Sequence, residues 1–204
     1  MIGIAIDGPG GAGKSTIAKT LAEKLGLVYV DTGAIYRTVG LYMCSIGVAP
    51  EDTSGIEAHL TEVRLDVRCE NGAQKILLDG EEVSDRIRTP LIAKYASCVS
   101  AVPAVREFLF ETQRALAKQN NVIMDGRDIG TVILPNADVK IFLTASAEAR
   151  ARRRVAQLAE RGETVSFEET LAAINERDAR DSGRAVAPLK AAEDAVLLDT
   201  SDMT

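Results

Sequence analysis

Ile2-Gly-Ile-Ala-Ile-Asp-Gly-Pro-Gly-Gly-Ala-Gly-Lys-Ser-Thr16 is the stretch whose reading decides the fold. Ile2–Ile6 is apolar on both faces, as a buried parallel strand should be. Gly8, Gly13, Lys14 and Ser15 stand at P-loop offsets. Glycines let such a loop close until its backbone N–H groups point inward at a polyphosphate. Lys14 can reach the β- and γ-phosphates, and the Ser15 hydroxyl can hold Mg²⁺. A helix starting near Ser15 adds the positive end of its dipole. Gly8, Pro9, Gly10, Gly11, Ala12, Gly13, Lys14, Ser15 and Thr16 are therefore the expected triphosphate loop. A glycine-rich turn that merely joins strand to helix is the rival reading.

Working outward, Ser15–Leu25 carries Ile17, Ala18, Leu21, Ala22 and Leu25 at helical spacing, with Gly26 as the stop. Val28–Val30 reads as a second strand, 34–45 as helix, and 50–60 as another. The character then changes. Residues 64–69 alternate, and Asn71-Gly72 and Asp79-Gly80 are hairpin signals, so 63–84 reads as a small antiparallel β-insert. Thr89-Pro90 starts a helix to about Cys98. Pro103 starts a longer one, with Val105, Leu109, Thr112 and Leu116 on one face. Val122–Met124 and Val139–Leu143 are further core strands, and helix 147–160 follows. Ser166-Phe-Glu-Glu169 is a capping box for the next helix, and Ala195–Leu198 is a fifth strand. Strands alternating with helices predict an α/β fold, a parallel sheet covered on both faces.

Composition narrows the options. The 204 residues are 46% hydrophobic and 26% charged, enough for a core without a metal or disulfide staple. A net charge of −6 argues against a general nucleic-acid binder. The three cysteines, Cys44, Cys69 and Cys98, are far apart and form no CxxC, which fits a reducing compartment. His59 is the only histidine and lies in a polar stretch, so a histidine metal site or triad is not expected. No apolar run has membrane-spanning length, and no basic segment precedes the first apolar one, so a cytoplasmic location is expected.

Two more constellations follow strands, Asp31-Thr-Gly-Ala-Ile-Tyr-Arg37 and Asp125-Gly-Arg-Asp128. The carboxyl ends of strands are where open α/β sheets bind ligands. Asp125 can join Ser15 in a magnesium shell. A third signal is the arginine distribution. Eight arginines and no lysine lie between Arg150 and Arg184. Some can serve as helix-surface partners of glutamates. A planar guanidinium fork also suits a phosphate clamp, and a helical pair around Gly162 suggests a closing lid. No Asn-Lys-x-Asp guanine reader and no Cys or Ser nucleophile with a histidine is present. Phosphoryl transfer is the chemistry left, where positioning and charge neutralisation supply most of the catalysis.

These residues jointly resemble the bacterial-type cytidylate kinases. The matching blocks are 6–16, 31–37, Ile87-Arg-Thr89, 125–131, Lys140-Ile-Phe-Leu-Thr-Ala-Ser146, Ala151-Arg-Arg-Arg154, Glu176-Arg-Asp-x-Arg-Asp181 and Arg184-Ala-Val-Ala-Pro-Leu189, in family order. The resemblance implies transfer of the ATP γ-phosphate to CMP or dCMP with Mg²⁺, held by Ser15 and Asp125. It also implies a nucleoside monophosphate kinase fold. Its core would be 1–33, 100–149 and 185–204, its acceptor segment 34–99 and its lid 150–184. The implied CMP pocket draws on Asp31, Thr32, Arg37, Ser97, Arg106, Arg127, Asp128, Arg177, Asp181 and Arg184. Within it, Ser97, Arg106 and Asp128 would read the base. Arg37, Arg127 and Arg184 would hold the phosphate, and Arg177 and Asp181 the ribose. Lys14, Arg127, Arg153 and Arg154 would act in transfer, with Arg161 another lid arginine. Small-molecule partners and a monomer are expected, with no nucleic acid or membrane.

The chain departs from the family in two places. The family continues past the last strand into a helix, whereas this sequence stops at Thr204, and position 32 is Thr where many relatives have Ser. A P-loop kinase for UMP or a non-nucleotide acceptor is the rival enzyme reading, and an ATP-binding regulatory module the non-enzyme one.

Overall fold

A computed structural model describes residues 1–70, 73–160 and 162–203. Strand β1 (Gly3–Asp7) lies at the centre of a parallel sheet. Its neighbours are β6 (Val122–Gly126) and β7 (Val139–Thr144). The edges are β2 (Val28–Asp31) and β8 (Val196–Asp199), giving the order β2-β6-β1-β7-β8. Ile6 pairs with Asp125, and Asp31 with that same residue from the other side. Three carboxyl ends are thereby brought to one edge within a few ångströms.

The strands alternate between two apolar layers. Ala5, Val30, Val122 and Met124 face one cluster, and Ile4, Ile6, Ile123 and Leu143 the other. Helix α1 (Lys14–Leu25) covers the second face through Ala18 and Ala22. The first face is covered by α2 (Thr32–Ser45), α4 (Pro90–Val99) and α5 (Pro103–Gln119). Thr89 caps α4 as expected, accepting the Ile92 N–H at 3.3 Å. On α5, Gln113 is the buried residue of its turn rather than Thr112. Its amide donates to the Leu109 carbonyl at 3.2 Å, which makes burial tolerable.

Helix α2 begins at Thr32, directly after β2, and not at residue 34. The Asp31 carboxylate accepts the Ala34 N–H at 2.9 Å, so the last strand residue is also the helix cap. Helix α3 (Thr53–His59) is shorter than 50–60 because Asp52 caps it on the Gly55 N–H, and residues 60–62 tighten into a 3₁₀ turn. His59 is surface-exposed beside Glu62, as its polar surroundings suggested.

The insert is an antiparallel sheet of β3 (Leu65–Glu70), β4 (Ala73–Leu78) and β5 (Glu81–Glu82). Asp79 at φ 52° and Gly80 at φ 84° make the expected tight turn. The Asn71-Gly72 turn lies outside the described residues. Ile76 and Leu78 join the same cluster as Ile35 and Val39, so the insert buries one face on the layer that holds α2. Helices α6 (Ala147–Ala159) and α7 (Phe167–Ser182) pack on each other, α7 capped by Ser166 as predicted.

The P-loop is held by one close approach. Gly8 sits at φ 144°, and a Cβ there would lie 1.9 Å from the Leu143 carbonyl oxygen of β7. We therefore expect Gly8→Ala to destabilise the fold by about 3 kcal/mol and to abolish ATP binding. Urea unfolding with ATP titration measures both. An unchanged unfolding midpoint would refute the packing argument.

Candidate active site

The P-loop arches from β1 to α1, and Lys14 lies buried under it. Its ammonium donates to the Pro9 carbonyl at 2.8 Å. Burial lowers its pKa to about 7, and the nearby Arg127 cation pushes the same way. Beside it, the Ser15 hydroxyl donates to Asp125 Oδ2 at 2.6 Å. The Tyr29 hydroxyl donates to Asp125 Oδ1 at 3.2 Å. Asp125 is raised in pKa, first by burial and next by Asp31. A hydroxyl and a carboxylate side by side form a hard-oxygen pair. That chemistry fits Mg²⁺, which takes one or two protein oxygens and fills the rest with phosphate and water.

Asp31 and Thr32 stand where β2 becomes α2. Thr32 donates to the Asp125 carbonyl at 2.7 Å, fastening α2 to β6. Arg37, one turn on, reaches Asp31 at 3.5 Å. Across the cleft, Arg106 of α5 is paired with the Asp128 carboxylate in a buried contact. Arg106 also donates to the Ser100 carbonyl at 3.2 Å, and its guanidinium lies 5.5 Å from the Tyr36 ring centroid. Ser97 of α4 accepts from Arg180 at 2.9 Å.

The arginine cluster has a carboxylate at its centre. Asp181 is 1% exposed. Arg127 donates to its Oδ2 at 3.0 Å, Arg184 to its Oδ1, and Arg177 stands 3.9 Å away. Burial alone would raise the Asp181 pKa, but Arg127, Arg184 and Arg177 together hold it below the usual carboxylate range. Arg177 is depressed to about 10 by burial and then by Arg127. Buried Nε atoms of Arg177 and Arg184 have no hydrogen-bond partner. A Cβ built on Gly10 would lie 3.4 Å from Arg127 Nη2 and 3.8 Å from Arg177 Nη1. Both guanidinium groups therefore lie against the P-loop.

The structure thus brings together the P-loop, Asp31, Thr32, Arg37, Ser97, Arg106, Asp125, Arg127, Asp128, Arg177, Asp181 and Arg184. Two sequence candidates lie apart from that cluster in their contacts. Arg153 donates to the Thr200 and Met203 carbonyls, the latter at 2.8 Å, and so grips the chain after β8. Arg154 bonds Gln157 at 2.8 Å on its own helix. Arg161 lies outside the described residues.

Several residues escaped the sequence reading. Arg150 donates to the Gly10 carbonyl at 3.2 Å and to Asp178 at 2.6 Å, joining the P-loop to α7. Its place in the first turn after β7 was the available signal. Gln74 of the insert accepts the Asp31 N–H at 2.8 Å, and no local pattern marks that long-range bond. Arg150 and Arg180 count in the arginine window without a partner, and Tyr29 is not singled out, because the contacts of Arg180 with Ser97 and of Tyr29 with Asp125 span much of the chain.

A family profile described as cytidylate kinase matches residues 4–204. A cytidylate kinase of Caldicellulosiruptor saccharolyticus is 49% identical over 203 residues, covering 100% of this chain and 90% of its own. One from Caldanaerobacter subterraneus subsp. tengcongensis is 50% identical, covering 98% of this chain and 88% of its own. One from Pelotomaculum thermopropionicum is 51% identical over 202 residues, covering 98% and 89%. With a P-loop at the centre of a five-stranded parallel sheet and this likeness running through nearly all of its length, the chain belongs to the cytidylate kinase family.

Proposed function

We propose that this chain transfers the γ-phosphoryl group of ATP to the phosphate of CMP or dCMP, giving ADP and CDP or dCDP. One observation carries the reading. A partly exposed arginine cluster around the buried Asp181 adjoins the P-loop, and its guanidinium groups suit an anion. Two anionic nucleotides repel, and cations between them lower that cost. In this reading Gly8–Thr16 wraps the donor triphosphate, with Lys14 following the moving group. Arg127 and Arg177, lying against Gly10, neutralise charge where donor and acceptor meet. Arg37 and Arg184 hold the acceptor phosphate, and Asp181 both orders the arginines and faces the sugar. Ser97, Arg106 and Asp128 supply a hydroxyl, donors and an acceptor for the cytosine edge. Ser15 and Asp125 would hold Mg²⁺, which supplies charge neutralisation at the triphosphate.

No general base is needed, because the acceptor phosphate is already an anionic nucleophile. The chain's own task is to align and dry the site. Residues 34–99 would form the acceptor segment and 150–184 the lid. Arg153, bonded to Thr200 and Met203 after β8, serves in this reading as an anchor of the lid and not as a phosphate ligand.

Asp128→Ala is expected to lower kcat/KM for CMP roughly 100-fold, about 2.7 kcal/mol, through loss of a charged hydrogen-bond partner. ATP affinity should stay within about threefold, since Asp128 bonds Arg106 and not the P-loop. A coupled ADP-release assay over CMP, dCMP, UMP and AMP checks this and the acceptor choice together. Unaltered CMP turnover in the variant would remove Asp128 from the base pocket.

The depressed Lys14 pKa gives a pH signature. Above about pH 7 the free protein holds this lysine largely neutral. A bound triphosphate favours the ammonium, so ATP binding at pH 8 should take up a proton, about one at most. The sign makes affinity fall as pH rises from 7 to 9. Calorimetry in two buffers of different ionisation heat measures the uptake, and Lys14→Met should abolish it. Zero uptake in the parent protein would show that Lys14 is already an ammonium before ATP binds.

A further inference from the structure

Asp7 ends β1 one residue before the P-loop, and nothing above gives it a task. It is 4% exposed. One carboxylate oxygen accepts the Ile129 N–H at 2.8 Å, and the other accepts the Gly130 N–H at 2.7 Å. These are the first two amides of a π-helical turn, Ile129–Ile133. First-turn amides find no partner inside their own turn. Asp128 precedes that turn at φ −145° and ψ 25°, where its side chain would ordinarily serve as the cap. It makes no cap bond and is committed to Arg106 instead. The capping carboxylate comes from β1, which leaves the Asp128 carboxylate for Arg106.

Gly130 fits the same arrangement. A Cβ there would lie 3.4 Å from Asp7 Oδ2 and 3.2 Å from the Lys140 Cδ. A methyl there would touch Asp7 and press Lys140 aside by a few tenths of an ångström.

We propose that Asp7 is a positioning residue for the acceptor base. It anchors the Ile129–Gly130 amides, aims Asp128 at Arg106, and couples that reader to the donor loop that starts at Gly8. The inference rests on the reading of Asp128 as a base contact. Asp7 also lies between β6 and β7 in the sheet, paired in register with Gly126 and Phe142, so its backbone is fixed from both sides. The turn therefore takes its position from the rigid centre of the sheet and not from a loop.

Asp7→Asn tests this at constant size. Asparagine offers one acceptor oxygen and one amide nitrogen, so one of the two buried N–H groups loses its partner. KM for CMP should rise roughly 10- to 100-fold, with kcat and the ATP Kd within about threefold. Gly130→Ala, with Asp7 intact, should raise the same KM by a smaller factor, about three- to tenfold. The double variant should show less than the product of the two, because both act through one turn. A merely structural role would lower the melting temperature and leave KM unmoved. Asp128→Ala is measured alongside. If it leaves KM for CMP unchanged, the base-pocket reading fails. If it raises KM while Asp7→Asn and Gly130→Ala do not, Asp7 is not a positioning residue. Should Asp7→Asn not fold, an unchanged KM in Gly130→Ala overturns the inference alone.

Discussion

Asp181 is the interaction on which the rest of this site depends. Three arginines cannot be gathered beside a P-loop without an internal anion, because like charges taken from water repel strongly. Asp181 supplies it at the C-terminal end of α7, with Arg127, Arg177 and Arg184 around it. The compensation is incomplete, and the shifts record that. Arg177 falls to about 10 and Lys14 to about 7, each with burial as first cause and Arg127 as second. A site lined by guanidinium groups, two of them with a buried Nε that has no partner among the described residues, is pre-set for polyanions, so reorganisation at the moment of transfer is small.

The sheet makes this crowding possible. Register places Asp31, Asp125 and Gly126 at neighbouring strand ends, and Asp7 beside Gly126. Asp125 and Asp7 have backbones fixed by ladder bonds on both sides, and Asp31, on the edge strand, by β6 on one side and Gln74 on the other. Ser15, Tyr29 and Thr32 all bond to Asp125, through its side chain or carbonyl. The P-loop serine, the end of β6 and the start of α2 are therefore tied into one unit. The insert extends that unit through Gln74 and the Asp31 N–H.

Much of this was legible in the sequence, for physical reasons that can be named. The β1–P-loop–α1 unit has both local periodicity and rigid glycine requirements. The insert shows period-two alternation with a turn signal that Asp79 and Gly80 obey. What was not legible depends on partners far along the chain. Helix α2 starts at once because a strand carboxylate doubles as its cap, which no window centred on 34–45 reveals. The turn at Ile129–Ile133 has its first two amides bonded by Asp7, more than a hundred residues away in sequence. Arg150 and Arg153 look alike in sequence, three residues apart on α6. One is buried on the P-loop side and the other faces the chain after β8, a difference that only packing decides.

The residues proposed to form the acceptor pocket are paired with one another. Arg106 is paired with Asp128, Ser97 with Arg180, and Arg184 with both Asp181 and Ser100. Each pairing keeps a buried polar group satisfied before a substrate arrives, which the interior demands. Binding must then exchange these bonds for new ones. A base that presents both a donor and acceptors can replace what Arg106 and Asp128 give each other. A base that presents only one kind leaves a charged group unpaired in a dry pocket, at a cost of about 1–3 kcal/mol or more. In the proposed pocket, the cost of breaking the internal pairs therefore adds to the contacts in setting which acceptor binds. Hydrogen-bonding sites reject ligands that lack the matching group far more strongly than apolar pockets reject a missing methylene.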